Sequence, residues 1–141
     1  MRAVVSRVTE AAVLVDGQVV GELDRPGLLV LLGVTHDYGC EQAETMARKL
    51  HELRILRDER SVADTGAGVL VVSQFTLYGS TRKGRRPSFT AAARPEHAEP
   101  LIDEVVARLR ARGASVATGR FGATMAVHSV ADGPFTVLLE V

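Results

Sequence analysis

The chain is short of cysteine and has no net charge, and each scarcity excludes a class of protein. Cys40 is the sole cysteine among 141 residues, so neither an internal disulfide nor a multi-cysteine zinc site can form, which agrees with a reducing compartment. Lys plus Arg and Asp plus Glu each total 17, leaving no overall field to draw the molecule to nucleic acid or anionic lipid. Any RNA contact must therefore be local. No apolar run approaches the ~20 residues that span a bilayer, so no membrane association is expected. The opening Met1–Val8 segment lacks the apolar core and small-residue cleavage site of a signal peptide and reads as a strand, making the cytoplasm the expected location.

What remains is ample for a core. Hydrophobic residues make up 46% of the chain, too many for a disordered protein, and the length suits a single domain over residues 1–141. Val13-Leu14-Val15 and Val19-Val20 flank Asp16-Gly17, a pair that tolerates the positive φ of a tight hairpin turn. After Pro26-Gly27 the run from Leu28 to Val34 is apolar without alternation, as in a central strand covered on both faces. Ala43, Met46, Ala47, Leu50 and Leu53 recur at helical spacing over residues 41–53. A second helix is predicted over residues 95–112, with Pro95 in its first turn and Gly113 at its end. Gly68–Val72 is a β-branched strand leading directly into Ser73–Tyr78, read as its continuation. Thr124–Val130 and Phe135–Val141 are read as two more strands joined by a turn at Asp132-Gly133-Pro134. The order predicts an α+β fold with mainly antiparallel, barrel-like sheet and two packed helices.

The obvious catalytic devices are absent. Ser73 lacks the Gly-x-Ser-x-Gly elbow that presents a nucleophile, and reads as a strand-end serine satisfying backbone groups. Thr76 is accounted for by β-propensity. His36, His51, His97 and His128 show no metal-ligand spacing. His97-Ala98-Glu99 matches half of a zinc-deaminase signature, but its Pro-Cys-x-x-Cys half is missing. Gly66-Ala67-Gly68 precedes a strand instead of opening a helix, so no phosphate loop is present. Neither a metal nor a cofactor is expected.

Two features carry more. Arg82-Lys83-Gly84-Arg85-Arg86 puts four cations within five residues. A solvated loop and a phosphate-binding loop both account for it, and its place beside a polar strand end favours phosphate, since cations that displace counterions supply affinity for a polyanion. Gly133-Pro134 is accounted for by a turn, although a turn alone does not require proline. Only about 5–6% of X-Pro bonds are cis, so a cis bond here would be a deliberate feature.

Taken together, Ser73-Gln74-Phe75-Thr76-Leu77-Tyr78, Arg86-Pro87-Ser88-Phe89, Thr118-Gly119-Arg120-Phe121 and Asp132-Gly133-Pro134-Phe135-Thr136 resemble the D-aminoacyl-tRNA deacylase family. With the strands at Arg7-Val8 and Gly27–Val34, the resemblance extends over nearly the whole chain. It implies a homodimer whose partner is tRNA carrying a D-amino acid or glycine. The catalytic floor would be Ser73, Gln74, Phe75 and Thr76, with backbone N–H groups near Phe75 stabilising an oxyanion. Gly133 and Pro134, joined by a cis bond, would enter the other subunit's pocket, receive the substrate's amino group on their carbonyls and reject L-amino acids by steric exclusion. Arg82, Lys83, Arg85 and Arg86 would contact RNA, with Arg7 and Phe89 in supporting positions. The resemblance further implies that the RNA's own 2′-hydroxyl assists the attacking water.

Three positions depart from that pattern. Ala131 replaces the asparagine that usually precedes Asp-Gly-Pro, Ser80 replaces an aspartate after Gly79, and the Ser61–Gly68 connection is shorter than usual. Two other readings compete. One is an editing module like the N-terminal domain of archaeal threonyl-tRNA synthetases. The other is a non-catalytic RNA-binding module using Arg82 to Arg86.

Overall fold

A computed structural model describes all of residues 1–141. Six strands, β1 (Arg2–Val15), β2 (Gln18–Leu23), β3 (Gly27–Gly33), β4 (Gly68–Ser73), β5 (Val116–Thr118) and β6 (Ala126–Glu140), form one sheet. Its path runs β2-β1-β3-β4-β5, with β6 paired along β1. The hairpin between β1 and β2 turns at Asp16 and Gly17, both at positive φ (50° and 77°), as the sequence requires.

The α+β class and barrel-like curl are as expected, but the sheet is mixed. β3–β4 and β4–β5 run parallel, while β1 pairs antiparallel with β2, β3 and β6. Parallel neighbours need a crossover, and the two long helices supply it. Strands β2 and β5 curl toward one another, so that a Cβ at Gly21 would overlap the Thr118 carbonyl.

Helices α1 (Cys40–Glu52) and α3 (Pro95–Ala111) match their predicted extents within a residue or two. They pack on one face of the sheet, where Leu28, Val30 and Leu32 alternate with Leu29 on the opposite face. Strand β3 is therefore covered on both sides. Between α1 and β4 lies a further one-turn helix, α2 (Val62–Thr65), which no periodicity in the sequence announces. Ser61 is its N-cap: its hydroxyl accepts from the Asp64 N–H at 3.1 Å, and the Asp64 carboxylate accepts from the Ser61 N–H at 2.9 Å.

Two expectations fail near the predicted site. Ser73–Tyr78 does not continue β4: the strand ends at Ser73 and Phe75–Tyr78 form a 3₁₀ turn. The C-terminal segment is not a hairpin either. Residues 126–140 form one strand against β1, and Asp132–Phe135 bulge from it. Ser6 pairs with Thr136 and Val8 with Ala131, so two steps along β1 face five along β6. A bulge absorbs the Asp-Gly-Pro sequence without reversing the chain.

Candidate active site

The 3₁₀ turn at Phe75–Tyr78 begins with backbone donors that the fold does not consume. A turn of this type leaves its first N–H groups without internal acceptors. The Gln74 N–H is taken by the Leu32 carbonyl at 2.8 Å, and the Leu77 N–H by the Gln74 carbonyl at 3.2 Å. The N–H groups of Phe75 and Thr76 between them have no acceptor in the chain. Gly33 makes this geometry possible, because a Cβ there would lie 2.9 Å from the Gln74 carbonyl oxygen and 3.2 Å from Leu77 Cβ.

Arg2 holds the far end of the turn. Its Nη1 donates to the Leu77 carbonyl at 2.7 Å, its guanidinium lies 4.9 Å from the Tyr78 ring centre, and it pairs with Glu140 on β6. Burial raises the Tyr78 phenol above its ordinary value, with Arg2 working weakly against that rise. Sequence reasoning missed Arg2, since a strand arginine carries no motif.

Ser73, Gln74, Phe75 and Phe89 line a cleft of about 570 Å³ between the turn, the start of α3 and the loop after β5. The Phe75 and Phe89 rings meet edge to face with centres 5.2 Å apart, which fixes the exposed Phe75 over the cleft mouth. None of the eighteen residues lining the cleft is ionisable. Thr76 lies outside the lining, where its hydroxyl accepts from the Gln74 side-chain amide. Phe121, Ala123 and Met125 complete the wall. The Phe121 segment is part of the family resemblance, but residue type alone gave it no role.

The cleft does not gather the other predicted residues. Gly133 and Pro134, joined by a cis bond, sit on the exposed β6 bulge. Arg7 reaches them from β1: its Nε donates to the Asp132 carbonyl at 3.0 Å, and its guanidinium lies 5.0 Å from the Phe135 ring centre. Asp132 is held below its usual carboxylate range chiefly by hydrogen bonds from Arg57, with Arg7 adding attraction. Arg82, Lys83, Arg85 and Arg86 lie on an exposed loop closed by reciprocal Ser80–Ser88 backbone bonds of 2.7 and 2.9 Å. None of the four forms an ion pair. No three His, Cys, Asp or Glu side chains converge to ligate a metal, and no helix is long and apolar enough to cross a membrane.

Fold and site together define a small α+β protein whose cleft has apolar walls and uncommitted backbone donors at its edge. The chain belongs to the D-Tyr-tRNA(Tyr) deacylase family, whose model matches residues 4–140. A D-aminoacyl-tRNA deacylase from Kineococcus radiotolerans is 64% identical over 140 residues, covering 99% of each chain. One from Streptomyces coelicolor is 63% identical over 141 residues, covering all of both. Among solved structures, a c-Myc DNA unwinding element binding protein superposes with a TM-score of 0.92 at 39% identity, over 100% of this chain and 99% of that one. A probable eukaryotic D-amino acid tRNA deacylase shares the fold, with a TM-score of 0.87 at 18% identity, over 99% of this chain and 98% of the other.

Proposed function

We propose that this chain, as one catalytic domain, hydrolyses the ester between a D-amino acid and the terminal ribose of tRNA, sparing the L-aminoacyl ester. The observation that carries this reading is the pair of uncommitted N–H groups on Phe75 and Thr76 beside a cleft without ionisable side chains. An ester under attack by water develops negative charge on its carbonyl oxygen, and fixed donors in a site partly shielded from water stabilise that charge. Ser73 has no base beside it in the cleft, so it contributes to the floor and not as a nucleophile. With no ionisable group lining the cleft, the neighbouring 2′-hydroxyl of the substrate ribose assists the water. The reaction uses no metal and no cofactor.

Chirality is read by main chain. Gly133 and Pro134 of one subunit enter the cleft of the other, and their carbonyls receive the substrate's α-amino group. Once amine and ester are fixed, D and L side chains point in opposite directions, and the L side chain meets backbone. Glycyl-tRNA, with nothing to clash, is accepted. The position of Gly133 and Pro134 outside their own subunit's cleft supports an assembly of this kind, as do the exposed apolar side chains of Val130, Phe135 and Leu138 on β6. Arg82, Lys83, Arg85 and Arg86 contact tRNA phosphates in the cytoplasm, where the substrate is used.

The deciding experiment incubates purified protein with D-tyrosyl-tRNA and L-tyrosyl-tRNA in parallel, with a chelator present. Rapid loss of the D ester alone is expected. A mobility shift of either tRNA without turnover would instead support a nucleic-acid-binding module, the reading favoured by the four unpaired cations. Hydrolysis abolished by the chelator would overturn the metal-free mechanism.

A further inference from the structure

The bulge that carries Gly133 and Pro134 has lost ladder hydrogen bonds and must be held by side chains. Arg7 supplies one hold from β1, through the Asp132 carbonyl. Ala131 offers no side-chain hydrogen bond, so the remaining hold falls on the Asp132 carboxylate.

That carboxylate is met by a second guanidinium. Arg57 Nη2 donates to Asp132 Oδ1 at 2.6 Å and Arg57 Nε to Oδ2 at 3.2 Å, a fork that engages both oxygens. Arg7 Nε approaches the same Oδ2 at 3.4 Å. Isolated surface ion pairs contribute little, but a bidentate fork onto a carboxylate only 16% exposed and shared with a second arginine is the arrangement that does fix geometry. The local backbone is unusual in support of it. Asp58 and Glu59 both adopt positive φ (58° and 53°), rare for residues other than glycine, and the Leu56 N–H bonds to the Arg60 carbonyl at 2.9 Å across this loop. The loop turns sharply directly after Arg57, beside the bulge.

We propose that Arg57 is a positioning residue for chiral selection: it locks Asp132, and through it the Gly133–Pro134 carbonyls, from the connection between α1 and α2. This rests on the reading that Gly133 and Pro134 select the D ester. Arg57 does not line its own subunit's cleft and touches the motif only through Asp132, so its proposed role is in the accuracy of the motif.

The test compares kcat/KM on D- and L-tyrosyl-tRNA for Arg57→Met, Arg57→Lys, Asp132→Asn, the Arg57→Met/Asp132→Asn double variant, and Gly133→Ala. Arg57→Met is expected to lower the D-over-L ratio ~10-fold with KM for tRNA unchanged, as loosened positioning does. Arg57→Lys, a point charge without the fork, should recover part of the loss. The double variant should be no worse than Asp132→Asn alone, because both remove one interaction. An unchanged ratio in Arg57→Met, or fully additive losses, overturns the proposal. If Gly133→Ala shifts the ratio while Arg57→Met does not, the clamp alone fails. If Gly133→Ala also leaves it unchanged, the selecting role of the motif falls, and the clamp with it.

Discussion

Gly33 shows how one absent methyl group shapes the chemistry. The 3₁₀ turn lies so close over the end of β3 that a Cβ at this position would press on Gln74 and Leu77. Gly33→Ala should displace the Phe75 and Thr76 donors, lowering kcat ~100-fold, the scale on which loss of an oxyanion donor acts. Near-parental circular dichroism together with unchanged kcat would show that the turn does not set the rate. Arg85 and Arg86 act differently, since they are exposed and unpaired. Replacing both with Ala should flatten the dependence of log Kd on log salt by up to ~2, about one for each phosphate that is no longer neutralised. Equal slopes in variant and parent would remove them from the tRNA interface.

The helices and sheet exert their effects through packing. Leu50 on α1 is wholly buried against the sheet, so Leu50→Ala should cost about 2–5 kcal/mol, read as a lower denaturant midpoint at constant slope. On the outer side, Glu44 of α1 bridges Arg108 and Arg112 at the end of α3. Hydrogen bonds from Arg108 and then Arg112 hold the Glu44 carboxyl below its ordinary value of 4.5. A carboxyl depressed in the folded state adds stability that is present above its unfolded pKa and lost as pH falls through its folded pKa. Glu44→Gln should therefore lower Tm slightly at pH 7 but hardly at all once the pH is well below 4.5. A Tm gap that persists in strong acid would assign the effect to packing.

At the scale of the whole molecule, β6 leaves large apolar side chains exposed to solvent. Leu138 is 58% exposed, and Val130 and Phe135 are 41% and 39% exposed. In the proposed assembly these side chains are buried against a second copy about a two-fold axis, and each motif reaches the other cleft. Leu138→Glu should then halve the mass seen in sedimentation and abolish deacylation together. Mixed dimers test the exchange directly. Gly33→Ala disables a floor. Gly133→Ala disables a motif, because φ is 117° there and a Cβ would lie 2.5 Å from Arg7 Nη2. If sites form across the interface, equal mixing of these two impaired chains raises activity to about a quarter of parental, from one complete site in half the dimers. Motifs acting within their own subunit would restore none.

The two long helices, the first hairpin and the buried central strand are all legible in the amino-acid order, because each is governed by periodicity or local turn chemistry over a few residues. The facing of Ala43, Met46, Ala47 and Leu50 toward the core needs only the 3.6-residue repeat. Apolar alternation could not tell that Ser73 ends a strand, because the chain leaves the ladder where Gly33 admits a tight turn from another element. Nor could it distinguish a hairpin at Asp132-Gly133-Pro134 from a bulge, since both use the same residues and differ only in whether β1 continues alongside. The mixed character of the sheet follows from which strands the helices connect, also a long-range matter. The resemblance marked Phe75, Phe89, Gly133 and Pro134 as functional by residue type and order. It took the folded chain to separate them into a cleft and an exposed bulge, and to bring Arg2 and Arg57 to those places. Contacts between residues far apart in sequence are decided by how the sheet curls and pairs, and no local pattern records them.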